Sequence, residues 1–278
     1  MITSNPFAEL AAVIPPAAMQ GYVVLMVLLV AAGTILDLMH KKSATYFFEN
    51  SKRAQKSATR SVGGAQKVAI AAKTLGNEVL TAGEFANPQR RMSHLLTMWG
   101  FIIFVVATAI LIFGFASPAV SAPAALPLLW HLGAAMLAAG GYWFWFAIRV
   151  DLSSEGQPWY RVVRADLFIL SLLATSTFAL LWSFTQGAGA IGWFFFALFI
   201  ASSTALFGTV YWSKFAHMFF KPAAAYQKRI TKADGSAENL PTISRDEPEQ
   251  QQRHSMELLR DAPMDMGLGI KREAPNHY

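Results

Sequence analysis

Along the chain, apolar residues gather into five stretches, at about 17–38, 95–115, 125–147, 165–184 and 188–212, separated by polar segments. Each approaches the ~20 residues that an α-helix needs to cross ~30 Å of hydrocarbon. A sixth pattern is different. Over 65–80, Val68, Ala72, Leu75 and Val79 recur at steps of three or four, while Lys67, Lys73, Asn77 and Glu78 fall mostly on other sides. That period predicts an amphipathic helix lying on a membrane surface or beneath a partner subunit, with Gly63-Gly64 as the break before it. The predicted fold is all-α, an integral membrane five-helix bundle. It comprises an external N-terminal segment (1–16), a membrane domain (17–220) that includes a polar segment at 40–93, and a polar C-terminal tail (221–278). The last two spans are joined by so short a turn that they must be antiparallel neighbours.

Charge orients this bundle. All 23 Lys and Arg residues fall where five spans place them on one side: in 40–93, in the connection holding Arg149, Arg161 and Arg164, and from Lys214 onward. The N-terminus and the connections 116–124 and 185–187 hold none. Because basic residues stay cytoplasmic, the expectation is a multi-pass protein of the inner membrane with its N-terminus outside and its C-terminus cytoplasmic. The formal charge of +6 needs no nucleic acid to explain it, since the excess lies in 40–93, where the topology rule and anionic headgroups account for it. The tail is too polar to make its own core. Its apolar island at 263–270 reads as a peptide that orders on a partner.

Cysteine is absent. That excludes disulfides, thiolate-held iron–sulfur clusters, covalently attached c-type haem and thiol nucleophiles. Ionisable residues within a membrane are functional candidates by default, yet Asp37, Arg149, Asp151 and Asp166 all lie near span ends. Six histidines remain. His254 and His277 are in the tail, His131 opens the third span, and His40, His94 and His217 stand near the cytoplasmic ends of the first, second and fifth. With an ordinary tilt, His94 and His217 share a depth. Two neutral imidazoles facing each other across a bundle are what a b-type haem requires. Arg90, Arg91, Lys214 and Lys221 stand within a turn of these histidines and suit haem propionates, and Gly100 and Ala216 would leave room for a flat macrocycle. Interfacial anchoring explains the same histidines without any cofactor. His40, beside Lys41-Lys42, reads as such an anchor; His131 reads as an anchor or as a contact to a quinone headgroup. The terminal tryptophans, Trp99, Trp130, Trp159, Trp182, Trp193 and Trp212, read as interface belts. The run Trp193-Phe194-Phe195-Phe196 reads as lipid contact.

The motif His94-Leu95-Leu96-Thr97-Met98-Trp99-Gly100-Phe101, after a basic segment containing Lys73–Leu80, resembles the membrane subunits of heterodisulfide-reductase-like, quinone-interacting oxidoreductases, which group with the gamma subunit of respiratory nitrate reductase. His217-Met218-Phe219-Phe220-Lys221-Pro222 is similar to a second family landmark, and the resemblance covers roughly residues 20–230. It implies haem b held by helices 2 and 5, with the ligand pair nearest the cytoplasm at His94 and His217. The family's deeper pair maps onto Phe104 and Phe199, which cannot bind iron, so the resemblance implies one haem rather than two. Within the family, a chain without a cysteine-bearing soluble domain and with a polar tail most resembles the membrane anchors of dissimilatory adenylylsulfate reductase. It thereby implies soluble flavin and iron–sulfur subunits docked on 40–93 and 221–278, and a quinone as electron partner. The resulting expectation is a membrane anchor and electron-transfer subunit, non-catalytic or quinone-reactive. The alternative is a haem-free docking subunit.

Overall fold

This computed structural model describes residues 2–41, 43–83, 85, 87–151, 156–213, 215 and 217–236. Within them the chain is helical and contains no strand. The helices are α1 (Pro6–Leu10), α2 (Pro16–Lys41), α3 (Ser43–Lys56), α4 (Gly64–Thr74), α5 (Pro88–Phe115), α6 (Ala125–Trp143), α7 (Leu167–Thr185), α8 (Ala190–Gly208) and α9 (His217–Ala233). π-helical turns extend α4 over Leu75–Leu80 and α6 over Phe144–Ile148. Five helices are long and apolar enough to cross a membrane: α2, α5, α6 with its π turn, α7 and α8. That is the pattern of a multi-pass membrane protein. The tail beyond Ser236, with its island at 263–270, His254 and His277, lies outside the described residues.

Boundaries follow local chemistry rather than hydropathy alone. α5 begins at Pro88, ahead of its apolar stretch, because the Asn87 side chain caps it: Oδ1 accepts from the N–H groups of Gln89 (2.9 Å) and Arg90 (3.1 Å). The early start carries Arg90, Arg91 and His94 into the helix. α8 stops at Gly208, short of Trp212, where the Thr209 hydroxyl donates back to Ala205 O and the chain turns through Ser213 N–H to Thr209 O (2.9 Å).

Two compact units emerge, 1–47 with 71–226, and 48–70 with the residues from Gln227 on. In the first, α5 and α6 meet backbone to backbone. A Cβ on Gly100 would stand 2.5 Å from Leu137 N, one on Gly133 2.6 Å from Phe104 N, and one on Gly140 2.7 Å from Thr97 N. Ser93 Oγ ties the same seam by donating to Gly140 O (2.8 Å, buried). Small residues let membrane helices approach this closely and gain dispersion and polar contacts. α7 joins α6 through His131–Ser183 and Tyr142–Thr177 (2.9 Å between hydroxyls). The turn between α7 and α8 uses Gly189 at φ +61°, a conformation that glycine adopts without strain.

One core cluster lies towards the α1 end, where Phe7, Phe104, Trp130, Trp182 and Phe199 pack together. Trp130 and Trp182 are therefore not interface-belt residues, being 0% and 2% exposed; ring packing on Phe104, Phe196 and Phe199, and for Trp130 a hydrogen bond from Nε1 to Thr108 Oγ1 (2.9 Å), hold them in the core. Trp159, Trp193 and Trp212 do stay exposed. The aromatic run divides likewise: Phe194 is exposed, whereas Phe196 packs on Trp182 at 5.1 Å. A second cluster, at the other end, gathers Leu137, Leu172, Leu206, Val210 and Phe215. α2 is the outlying span, with 11% of its apolar window buried. It is held to α8 by Tyr22 Oη on Ile200 O (3.2 Å) and to α5 by Gln20 Nε2 on Ile112 O (3.3 Å).

In the second unit Ser51 Oγ donates to Gln227 Oε1 (3.3 Å), and the N–H groups of Thr59 and Arg60 donate to Asp234 O (2.9 and 3.0 Å). The last two bonds satisfy the Asp234 carbonyl, just past the end of α9. On the predicted amphipathic helix, Val68 and Leu75 are exposed.

Candidate functional site

The α5 start, the segment before it and the α9 start form one neighbourhood in the first unit. The chain from the π turn doubles back along α5. Leu80 O accepts from Trp99 Nε1 (3.2 Å), and Thr81 O accepts from Arg91 Nε (2.8 Å). The reversal passes through Ala82, buried and at φ +47°, with Gly83 N–H on Asn77 O (2.6 Å). It delivers Phe85 to His94, ring centroids 4.9 Å apart. Two cations flank the same phenyl ring, Arg90 Cζ at 5.7 Å and Lys221 Nζ at 5.2 Å from its centroid.

Lys221 stands one turn after His217 on α9, so this arrangement brings the first turn of α9 close to the His94 end of α5. The Phe101 contacts say the same. Phe101 lies two turns along from His94 on the same helical face. Its ring meets Phe215, two residues ahead of His217, at 6.4 Å, and Phe207 at 6.3 Å. Met218, next after His217, packs on the cluster containing Phe215. The backbone positions of the two predicted ligands thus share one end of the bundle. The His217 side chain, Lys214 and Ala216 lie outside the described residues.

Of the remaining predicted contributors, Arg90 lies at the site against Phe85, while Arg91 is turned to the Thr81 carbonyl. Gly100 does not provide space for a macrocycle. Its missing Cβ is replaced by the backbone of α6, with Leu137 N and Gly133 O in that place. A residue pointing into a helix seam cannot also open onto a cofactor on the His94 face. Phe104 and Phe199, the counterparts of a deeper ligand pair, do face each other, with rings in edge contact at 6.4 Å.

His131 is fully engaged in packing. Nδ1 is 2.7 Å from Pro127 O and Nε2 is 2.7 Å from Ser183 Oγ, all buried. A carbonyl can only accept, so Nδ1 carries the proton and Nε2 accepts from the serine hydroxyl. Neither nitrogen is left for a quinone. His40 is exposed and meets Tyr211 edge-on at 5.6 Å.

Sequence reasoning missed Phe85 as the hub of this neighbourhood. Its only signal was an aromatic residue in a polar segment within ten positions of His94. Also missed was a cleft of about 530 Å³ between α2, α5 and α8, whose lining includes Phe104, Phe199, Phe215 and Met218. Comparison with protein-family models, curated proteins and solved structures gives no match.

Proposed function

We propose that this chain is the membrane anchor and electron-transfer subunit of a multi-subunit oxidoreductase. It lies in an inner membrane with its N-terminus outside and its basic end cytoplasmic, the orientation favoured by the one-sided distribution of Lys and Arg. The observation that carries the reading is the ring contact between Phe101 and Phe215. It sets the His94 face of α5 against the segment that leads into His217.

The residues present suit a b-type haem in their donor chemistry: two imidazoles for the iron, with Arg90 and Lys221 as cations for its carboxylates. Such a group would supply one-electron transfer there. Phe85 stands against His94 and limits water on that side, while Arg91 holds the reversal at Thr81 in place. Through residues 40–93 and 221–278 the chain would dock soluble flavin and iron–sulfur subunits, of which adenylylsulfate reductase is the leading candidate. Electrons would be exchanged with a quinone in the bilayer. A reduced-minus-oxidised visible spectrum of protein produced with haem available tests the reading. The expected result is a b-type α band; a featureless spectrum removes the conduit.

A second reading, a haem-free docking subunit, is favoured by one contact. Phe85 already occupies one side of the His94 ring at 4.9 Å, as a packing histidine would require. The same spectrum separates the two.

A further inference from the structure

The cleft between α2, α5 and α8 has a shape and chemistry of its own. On α2 its wall includes Met19, Tyr22, Met26 and Val30, which recur at one face over about 16 Å of helix at ~1.5 Å per residue. It is therefore a slot running along the spans rather than a round chamber. Leu10 and Ile14 border it towards α1, and Phe215 and Met218 border it at the basic end.

Of its 24 lining residues, four carry a hydroxyl and none carries a charge or an amide. Those hydroxyls are already engaged. Thr108 Oγ1 donates to Phe104 O (2.7 Å) and accepts from Trp130 Nε1 (2.9 Å). Tyr22 bonds to Ile200 O and Thr204 Oγ1, with Ser203 beside it, and Thr175 donates to Ser171 O (2.8 Å). A polar ring or headgroup placed inside would lose its hydration without gaining a partner. A hydrocarbon chain loses nothing.

We propose that the slot binds one acyl chain of a membrane phospholipid, whose headgroup stays outside at the bilayer surface. Bound there, the chain fills apolar space that the side chains of α2, α5 and α8 leave between them. The lipid is then part of the bundle, wedged between α2 and the α5–α8 wall.

The test uses the full-length protein in detergent, exchanged until bulk lipid is gone, with retained lipid identified and counted by native mass spectrometry. Phospholipid should remain bound at one molecule per chain, and enzymatic or detergent removal of it should lower the unfolding temperature. Ala109→Phe, projecting a ring into the slot from α5, should lose the lipid. Val27→Phe, at the exposed rim on α2, should lose it too and guards against misfolding of the first variant. Val106→Phe, on α5 but away from the slot, should keep it. The proposal is overturned by wild-type protein free of phospholipid, by equal retention in both slot variants, or by an isoprenoid quinone as the retained molecule. None of these outcomes depends on whether haem is bound.

Discussion

Arg149 and Asp166 form a buried ion pair, with Nη2 2.6 Å from Oδ2 and the arginine 1% exposed. The guanidinium also donates to the carbonyls of Pro158 (2.7 Å) and Arg161 (2.6 Å) and lies over Trp145, Cζ 4.2 Å from the ring centroid. Asp166 in turn accepts from Val163 N–H (2.9 Å) at the entry to α7. One side chain thus organises the connection from α6 to α7. Arg149→Met would leave the Asp166 carboxylate without its counter-charge, held by the Val163 N–H alone, and would strip the Pro158 and Arg161 carbonyls of their guanidinium donor, a loss of about 3–5 kcal/mol. Thermal unfolding in detergent should show a large fall for Arg149→Met. Arg149→Met with Asp166→Leu should cost less than the two single changes added together.

The α5–α6 seam makes a sharper contrast. Gly100→Ala and Gly133→Ala each force a methyl into a backbone 2.5–2.6 Å away, so both should push the helices apart and destabilise the fold. Gly114, on the same helix as Gly100, has nothing within 4 Å of a built Cβ. Gly114→Ala should be neutral or stabilising by up to about 1 kcal/mol, from helix propensity. Equal unfolding temperatures for Gly100→Ala and Gly114→Ala would contradict the seam.

For His131 and Ser183 the expected coupling is small. Interhelical hydrogen bonds in membranes average about 0.6 kcal/mol with a maximum near 1.7. A double-mutant cycle with His131→Leu and Ser183→Ala should give a coupling in that range, and, if the chain belongs to a quinone-reactive complex as proposed, His131→Leu should leave that complex's quinone-dependent activity intact. A selective loss of that activity in folded protein would restore the ligand role.

If the chain carries haem as proposed, His94→Ala and His217→Ala should each abolish the same α band, while His254→Ala leaves it. Phe85→Ala, which removes the ring beside His94, should shift the band or its reduction potential without eliminating it. Full haem content in either His94→Ala or His217→Ala is the contrary outcome.

If the chain docks soluble subunits as proposed, deletion of 255–278 should release them on purification while the truncated chain still inserts. Unchanged co-purification would remove the docking role from that part of the tail.

Long apolar runs made the five spans legible, because crossing hydrocarbon demands a length and composition that few other needs impose. The facing of those spans was not. Gly100 illustrates why: its small size was visible, but whether it opened space or closed a seam depended on which neighbour lay against that side. Trp130 and Trp182 were misread for the same reason, since position near a span end does not tell lipid from core. The pairing of Arg149 with Asp166 joins residues 17 apart across an irregular connection, where no helical period relates them. At the candidate site, His94 stood out through its chemistry and motif. Phe85 did not, since a chain reversal at Ala82 and Gly83 brings it there.

The glycine seam has a mechanical corollary. Two helices whose backbones touch cannot slide or part without breaking many contacts at once, so α5 and α6 behave as a single stiff post. Compliance in the bundle must then reside in α2, the span with the least protein around it, and motion that admits or releases an apolar guest will be a swing of that helix against a fixed frame.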